Sequence, residues 1–259
     1  LGFNTLKIIG PEGTSEGTSM ESPKQSRKLV AEGGPSVVDF DNKAFKPIPQ
    51  AGIDLAVKAM NAGVMYRYQP KTKEASITAS FEHNFAKYMG VKHAVGTNSC
   101  GSAMFIALNI VGVQPGDTIL TNAFTFHAVP SVIEHARAVP VLVESNREWA
   151  MDPEDLDRKA AETGAKVLLM SYMRGHVPDM DAIMDVVEKH GLILIEDCAH
   201  AYATLWNGKL LGTFGEIGCF STQSTTGRSA GEGGRGGGRG YSAPRAAADP
   251  NPKLDMPLL

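Results

Sequence analysis

Apolar residues recur at helical spacing at Ile53, Val57 and Met60, which predicts a helix over 53–60. Ile77, Phe81, Phe85 and Met89 repeat every fourth residue and predict a second helix over 77–89, stopped by Gly90. Beyond that glycine, short apolar runs alternate with amphipathic stretches. Strands are predicted at 93–96, 118–121, 139–143, 167–170, 192–195 and within 218–223, with helices at 103–111, 128–135, 156–163 and 181–190. The strands are continuous apolar runs rather than alternating ones, so each is buried on both faces. That pattern specifies an α/β fold: a three-layer α/β/α arrangement around a mostly parallel sheet with right-handed crossovers. Ligands of such sheets sit beyond the carboxyl ends of the strands.

Both ends of the chain lack this pattern. Residues 10–36 are rich in Gly, Ser, Glu and Lys, and 1–36 is predicted to be a disordered extension. Leu1 opens the sequence and Met20 is its first methionine, so the fold is expected to begin after this segment. Residues 226–240 contain eight glycines, and 235–259 is predicted to be a disordered tail rich in Gly, Arg and Pro. The patterned part, 37–234, is expected to be one domain.

Composition narrows the function. Of 259 residues, 42% are hydrophobic and 20% charged, with a net charge of −3, so there is no basic field to draw in nucleic acid or an anionic membrane. Three widely spaced cysteines without a CxxC pair suggest neither a disulfide framework nor a zinc site, and a reducing, cytoplasmic setting is expected. No apolar run is long enough to cross a bilayer, and no secretion signal is expected at the start.

Candidate chemistry gathers in four strand-end segments that one sheet would place on a common edge. Gly96-Thr97-Asn98-Ser99-Cys100-Gly101-Ser102 is a polar turn before a helix, able to hold a phosphate or simply to cap the helix. Ala123-Phe124-Thr125-Phe126-His127 offers an aromatic that covers a planar ring or packs into the core. In Glu196-Asp197-Cys198-Ala199-His200, strand alternation points the two carboxylates to opposite faces, and His200 shares a face with Asp197 if the chain turns helically. Gly218-Cys219-Phe220-Ser221-Thr222-Gln223 places Cys219 in an apolar strand, where a small core residue is the simplest reading.

In this order, the blocks YMGVKHAVGTNSCGSAMFIAL, GVQPGDTILTNAFTFHAVPSVI, MDAIMDVVEKHGLILIEDCAHA, NGKLLGTFGEIGCFS and SAGEGG resemble the DegT/DnrJ/StrS-type pyridoxal-phosphate (PLP) aminotransferases of fold type I. The resemblance runs from about Pro47 to Gly234. It implies a PLP-transferase large domain that aminates nucleotide-linked keto-sugars with an amino acid as donor, in a homodimer. It assigns Cys100, Gly101, Ser102 and Ser221 to the cofactor phosphate, Phe126 to stacking on the pyridine ring, Asp197 to the ring nitrogen and His200 to a place near the ring oxygen. A carboxylate paired with the pyridinium keeps it protonated and electron-withdrawing.

Two departures qualify the resemblance. The family carries a Lys five residues after the serine matched by Ser221, which holds the cofactor covalently and moves the reaction's proton. Here that position is Thr226, whose hydroxyl does neither, so impaired catalysis is expected. After SAGEGG the family continues into a small C-terminal domain, whereas this sequence gives Arg235-Gly236-Gly237-Gly238-Arg239-Gly240. A truncated or frame-shifted sequence lacking that domain, and insoluble for its exposed apolar surface, is favoured over a short paralogue that binds PLP or sugar nucleotide without catalysis. A third reading makes the Gly/Arg tail an RNA-interaction segment, but three arginines and one nearby tyrosine give it little support.

Overall fold

Five apolar segments of the sequence lie side by side and parallel in the computed structural model, which describes residues 48–63, 76–223 and 234–238. The elements in chain order are α1 (Gln50–Ala62), α2 (Ile77–Met89), β1 (His93–Thr97), α3 (Cys100–Ile110), β2 (Thr118–Asn122), α4 (Ala128–His135), β3 (Val139–Val143), α5 (Pro153–Thr163), β4 (Val167–Ser171), α6 (Met180–His190), β5 (Ile193–Asp197), β6 (Leu205–Trp206), β7 (Lys209–Leu210), β8 (Ile217–Ser221) and β9 (Gly234–Gly238). The main sheet runs β1-β9-β8-β5-β4-β2-β3, with β9 antiparallel to both of its neighbours. The mostly parallel α/β sheet expected from the sequence is therefore what forms.

Alternation along each strand builds the three layers. In β4, Leu168 and Met170 join a core on one face with Leu156 of α5 and Met180, Ile183 and Val187 of α6, while Val167 and Leu169 join a second core on the other with Met104 and Leu108 of α3 and Ile133 of α4. Both faces are dry, which is why the parallel strands read as unbroken apolar runs.

Helix starts follow their capping residues. Asp152 caps α5 by accepting from the Glu154 N–H at 3.0 Å, and Asp179 caps α6 by accepting from Asp181 and Ala182. Ser99 caps α3 by accepting from the Ser102 N–H at 3.0 Å. Cys100, Gly101 and Ser102 are thus the first turn of a helix, three residues earlier than the apolar periodicity indicates.

The C-terminal boundary of the domain also differs from expectation. The predicted tail begins at 235, yet Gly234–Gly238 is strand β9, paired through Gly236 with both Val95 and Cys219. Sheet pairing on two sides holds a glycine-rich segment whose own strand propensity is poor. The predicted extension 1–36, the tail beyond 238 and Thr226 lie outside the described residues. Among the described residues no helix is long and apolar enough to cross a membrane.

Candidate functional site

Register places the predicted residues at the carboxyl edge of the sheet. Asp197, last in β5, stands opposite Ser171 of β4 on one side and Cys219 of β8 on the other. Its neighbour Glu196 points through the opposite face, as strand alternation requires. There the Glu196 carboxylate accepts from the Tyr172 hydroxyl at 2.6 Å and from the Gly212 and Gly215 N–H groups, both at 2.7 Å. Two adjacent acids therefore occupy separate environments.

The turn between β7 and β8 needs glycines for this. A Cβ on Gly215 would lie 2.2 Å from the Leu194 carbonyl oxygen, and Gly212 has φ +85° with a would-be Cβ 2.3 Å from Phe220. Only glycines let the 212–215 backbone approach Glu196 closely.

On the other face, Asp197 is held by three donors. Ser171 Oγ donates to Oδ2 at 2.7 Å, while the Ala199 N–H at 3.1 Å and the Cys100 thiol at 3.6 Å donate to Oδ1. Burial raises the Asp197 pKa above the ordinary carboxylate value, against the lowering pull of the Ser171 and Ala199 hydrogen bonds. Burial likewise raises the Cys100 thiol, reinforced by the Asp197 charge. His200, in the turn after β5, is half-buried; burial lowers its pKa, opposed by Asp197 and supported by Arg174.

The structure joins Cys100 directly to Asp197 and sets Gly101 and Ser102 on the same helical turn. In an α-helix the first N–H groups have no intrahelical partner, so those of Cys100 and Gly101 face outward with the positive end of the helix dipole. Gly101 and Ser102 also line a cavity of about 470 Å³ with His127 and Ser131 of the α4 start. Ser221 ends β8, two residues beyond Cys219, and its hydroxyl accepts from the Gln223 N–H at 3.2 Å. Phe126 is not in the core: its side chain is half-exposed, with its ring 4.1 Å from that of His127.

Two residues of this edge escaped the sequence reading. Ser171 binds Asp197, and Asn122 braces Ser171 by accepting from its N–H at 2.7 Å and donating to its carbonyl at 3.1 Å. The available signal was a polar residue ending an apolar parallel strand, at 122 and at 171, where ligand sites form.

This donor set suits a cofactor with a protonated ring nitrogen and a phosphate. A carboxylate accepts about four hydrogen bonds. Asp197 uses three of them, and α3 presents N–H groups from a turn bonded to that carboxylate.

Comparison with known proteins bears on the family and the fold. The model of the DegT/DnrJ/EryC1/StrS aminotransferase family matches residues 62–235. The spore coat polysaccharide biosynthesis protein SpsC of Bacillus subtilis is 37% identical over 60% of this chain and 40% of its own length. GDP-perosamine synthase of Vibrio cholerae is 35% identical over 60% of this chain and 42% of its own. A Streptococcus pneumoniae structure assigned as a sugar aminotransferase, in its PLP form, superposes with a TM-score of 0.68 and 27% identity, covering 78% of this chain and 54% of that one. The chain therefore spans roughly half the length or less of the proteins it matches. With the family model covering most of the described domain and the fold agreeing with its solved structures, the chain belongs to the DegT/DnrJ/EryC1/StrS aminotransferase family.

Proposed function

We propose that this chain is a sugar-aminotransferase homologue that holds PLP without a covalent bond, at the edge formed by α3, β4, β5 and β8. The substrates of this reading are a nucleotide-linked keto-sugar and an amino-acid donor. The observation that carries it is the hydrogen-bonded union of Cys100 with a buried Asp197 that retains acceptor capacity. When bound, PLP supplies an electron-accepting ring that spreads the electron pair released at a substrate carbon.

The chain's own residues have distinct tasks in this reading. Asp197 accepts a hydrogen bond from the ring nitrogen and holds its proton. Ser171 and Asn122 fix that carboxylate in place. Cys100, Gly101 and Ser102 bind the phosphate through backbone N–H groups and hydroxyl, and Ser221 adds a second hydroxyl. Phe126 covers one face of the ring, and His200 stands near the ring oxygen. Thr226 has no amine, so it neither anchors the cofactor nor moves a proton between substrate and cofactor carbons, and transamination is impaired.

The test is PLP titration of the full chain by equilibrium dialysis and absorbance, followed by borohydride reduction and peptide mapping. Saturable binding is expected, weakened at least about tenfold in Asp197→Asn, since a hydrogen bond to a charged group contributes ~1.5–3 kcal/mol. No adduct should map to residue 226, whereas Thr226→Lys should acquire one there. Absence of saturable binding, or equal binding by Asp197→Asn, would refute the proposal.

A further inference from the structure

At the end of the sheet opposite β1, strand β3 pairs with β2 on one side and, among the described residues, with no strand on the other. Such an edge offers a row of backbone groups to any further strand. The segment itself suits strand addition. Val139-Pro140-Val141-Leu142-Val143 carries no charge and is rich in valine, and Val139 and Leu142 are 51% and 48% exposed.

The bonds to β2 fix which groups face outward. The Val139 N–H donates to the Asp117 carbonyl and the Val143 carbonyl accepts from the Ala123 N–H, both at 2.8 Å, so residues 139, 141 and 143 bond to β2 while 140, 142 and 144 turn away from it. Each of the outward residues is obstructed. Pro140 has no N–H to give. The Leu142 carbonyl accepts from the Lys159 ammonium of α5. The Glu144 N–H donates to Asp155 Oδ2 at 2.7 Å, and the Glu144 carbonyl accepts from the Asp152 N–H at 2.9 Å. Lys159 and Asp155 pair with each other at 2.9 Å, with side chains 22% and 13% exposed, and form one clasp from α5 onto β3. Bonds in which one partner is charged are the stronger kind.

These obstructions match one incoming strand in particular, the same segment of another copy. In an antiparallel pair about a twofold axis at Leu142, Leu142 stands opposite its own counterpart, and Pro140 stands opposite Glu144. Every bond of that ladder is pre-empted or missing. The Leu142 carbonyl is held by Lys159, the Glu144 N–H is held by Asp155, and Pro140 lacks the donor that the Glu144 carbonyl would need.

We propose that the β3 edge is a strand-addition surface for a second copy of this chain, kept closed by Pro140 and by the Lys159–Asp155 clasp of α5. The helix that covers one face of the sheet also seals its edge.

The experiment is sedimentation velocity of the full chain over a concentration series, with infrared detection of intermolecular β-sheet, for the unchanged chain and for the Lys159→Ala/Pro140→Val double variant. The double variant frees the Leu142 carbonyl and restores the missing donor. Its self-association constant should rise at least about tenfold over that of the unchanged chain, with new intermolecular β-sheet signal. Adding Leu142→Lys places like charges directly opposite each other across the twofold axis and should return association to the level of the unchanged chain. Unchanged association of the double variant would overturn the proposal. So would added association that persists with Leu142→Lys, because it would come from unfolding or from another surface.

Discussion

Asp197 and Glu196 are consecutive, buried and both raised in pKa chiefly by burial, yet substitution should separate them. Asn at 197 can keep every present contact, because its Oδ1 still accepts from Ala199 and Cys100, and the Ser171 hydroxyl accepts as readily as it donates. A raised folded pKa means that the stabilising contribution is present below the ordinary carboxylate value and is lost as pH rises through the folded one. Above its folded pKa the ionised Asp197 is therefore a cost to the chain alone. Asp197→Asn should leave the melting temperature unchanged or higher in the absence of PLP, while losing PLP affinity; a large fall in melting temperature would contradict this. Gln at 196 has no such freedom. If its single oxygen meets Gly212, its amide faces the Gly215 N–H, and the reverse orientation strands Gly212. Glu196→Gln should cost about 1–3 kcal/mol in urea unfolding. Of these features, the opposite facing of the two acids was legible from alternation alone. The donors to Glu196 were not, because Gly212 and Gly215 are brought to it by a turn whose course depends on tertiary packing.

Among elements, those with strong periodicity were legible to the residue: α2, α4 and β3 have the predicted bounds. The hairpin of β6 and β7 was missed although its signal is present, since Asn207 and Gly208 at the turn both take positive φ, the pairing that a two-residue hairpin favours. The α5 start was placed late because the apolar set begins at Leu156, while polar capping begins the helix at Pro153. That first turn also carries a pH-sensitive tie to β3. Burial opposes ionisation of Asp155, but the Glu144 N–H at 2.7 Å, with Lys159 and Arg158 beside it, outweighs burial and lowers the pKa from 3.8 to about 2. A depressed carboxylate pKa contributes stability that is present above the ordinary value and lost as pH falls through the folded one. The melting temperature should therefore drop between about pH 4 and pH 2. Asp155→Asn should flatten that segment of the profile and cost about 1–2 kcal/mol at pH 7. A variant profile parallel to that of the unchanged chain would rule out this origin of the acid sensitivity.

Across the whole molecule, stability should follow the composition of the sheet. The centre, β8-β5-β4-β2, is made of segments whose side chains fill both cores, including Leu168, Leu169, Met170, Leu194 and Phe220 at no more than 1% exposure. That region was legible because apolar runs identify doubly covered strands. The position of β1 was not, since it depends on β9, a segment of four glycines and one arginine that no hydrophobic pattern marks as a strand. Among the described residues, β1 joins the sheet's hydrogen bonding only through β9. Each interior glycine costs ~0.5–1 kcal/mol relative to alanine, so the seam is weaker by about 2–4 kcal/mol than an ordinary strand of that length. The contact of Glu82 Oε1 with the Gly96 N–H at 2.7 Å ties β1 to α2 but contributes nothing across the seam. Local opening should begin there, ahead of global unfolding. Hydrogen exchange should show the amides of 93–97 and 234–238 opening at free energies about 2–4 kcal/mol below those of 167–171 and 193–197. If all four segments exchange at one common free energy, the sheet opens as a unit and the glycine strand is not its weak seam.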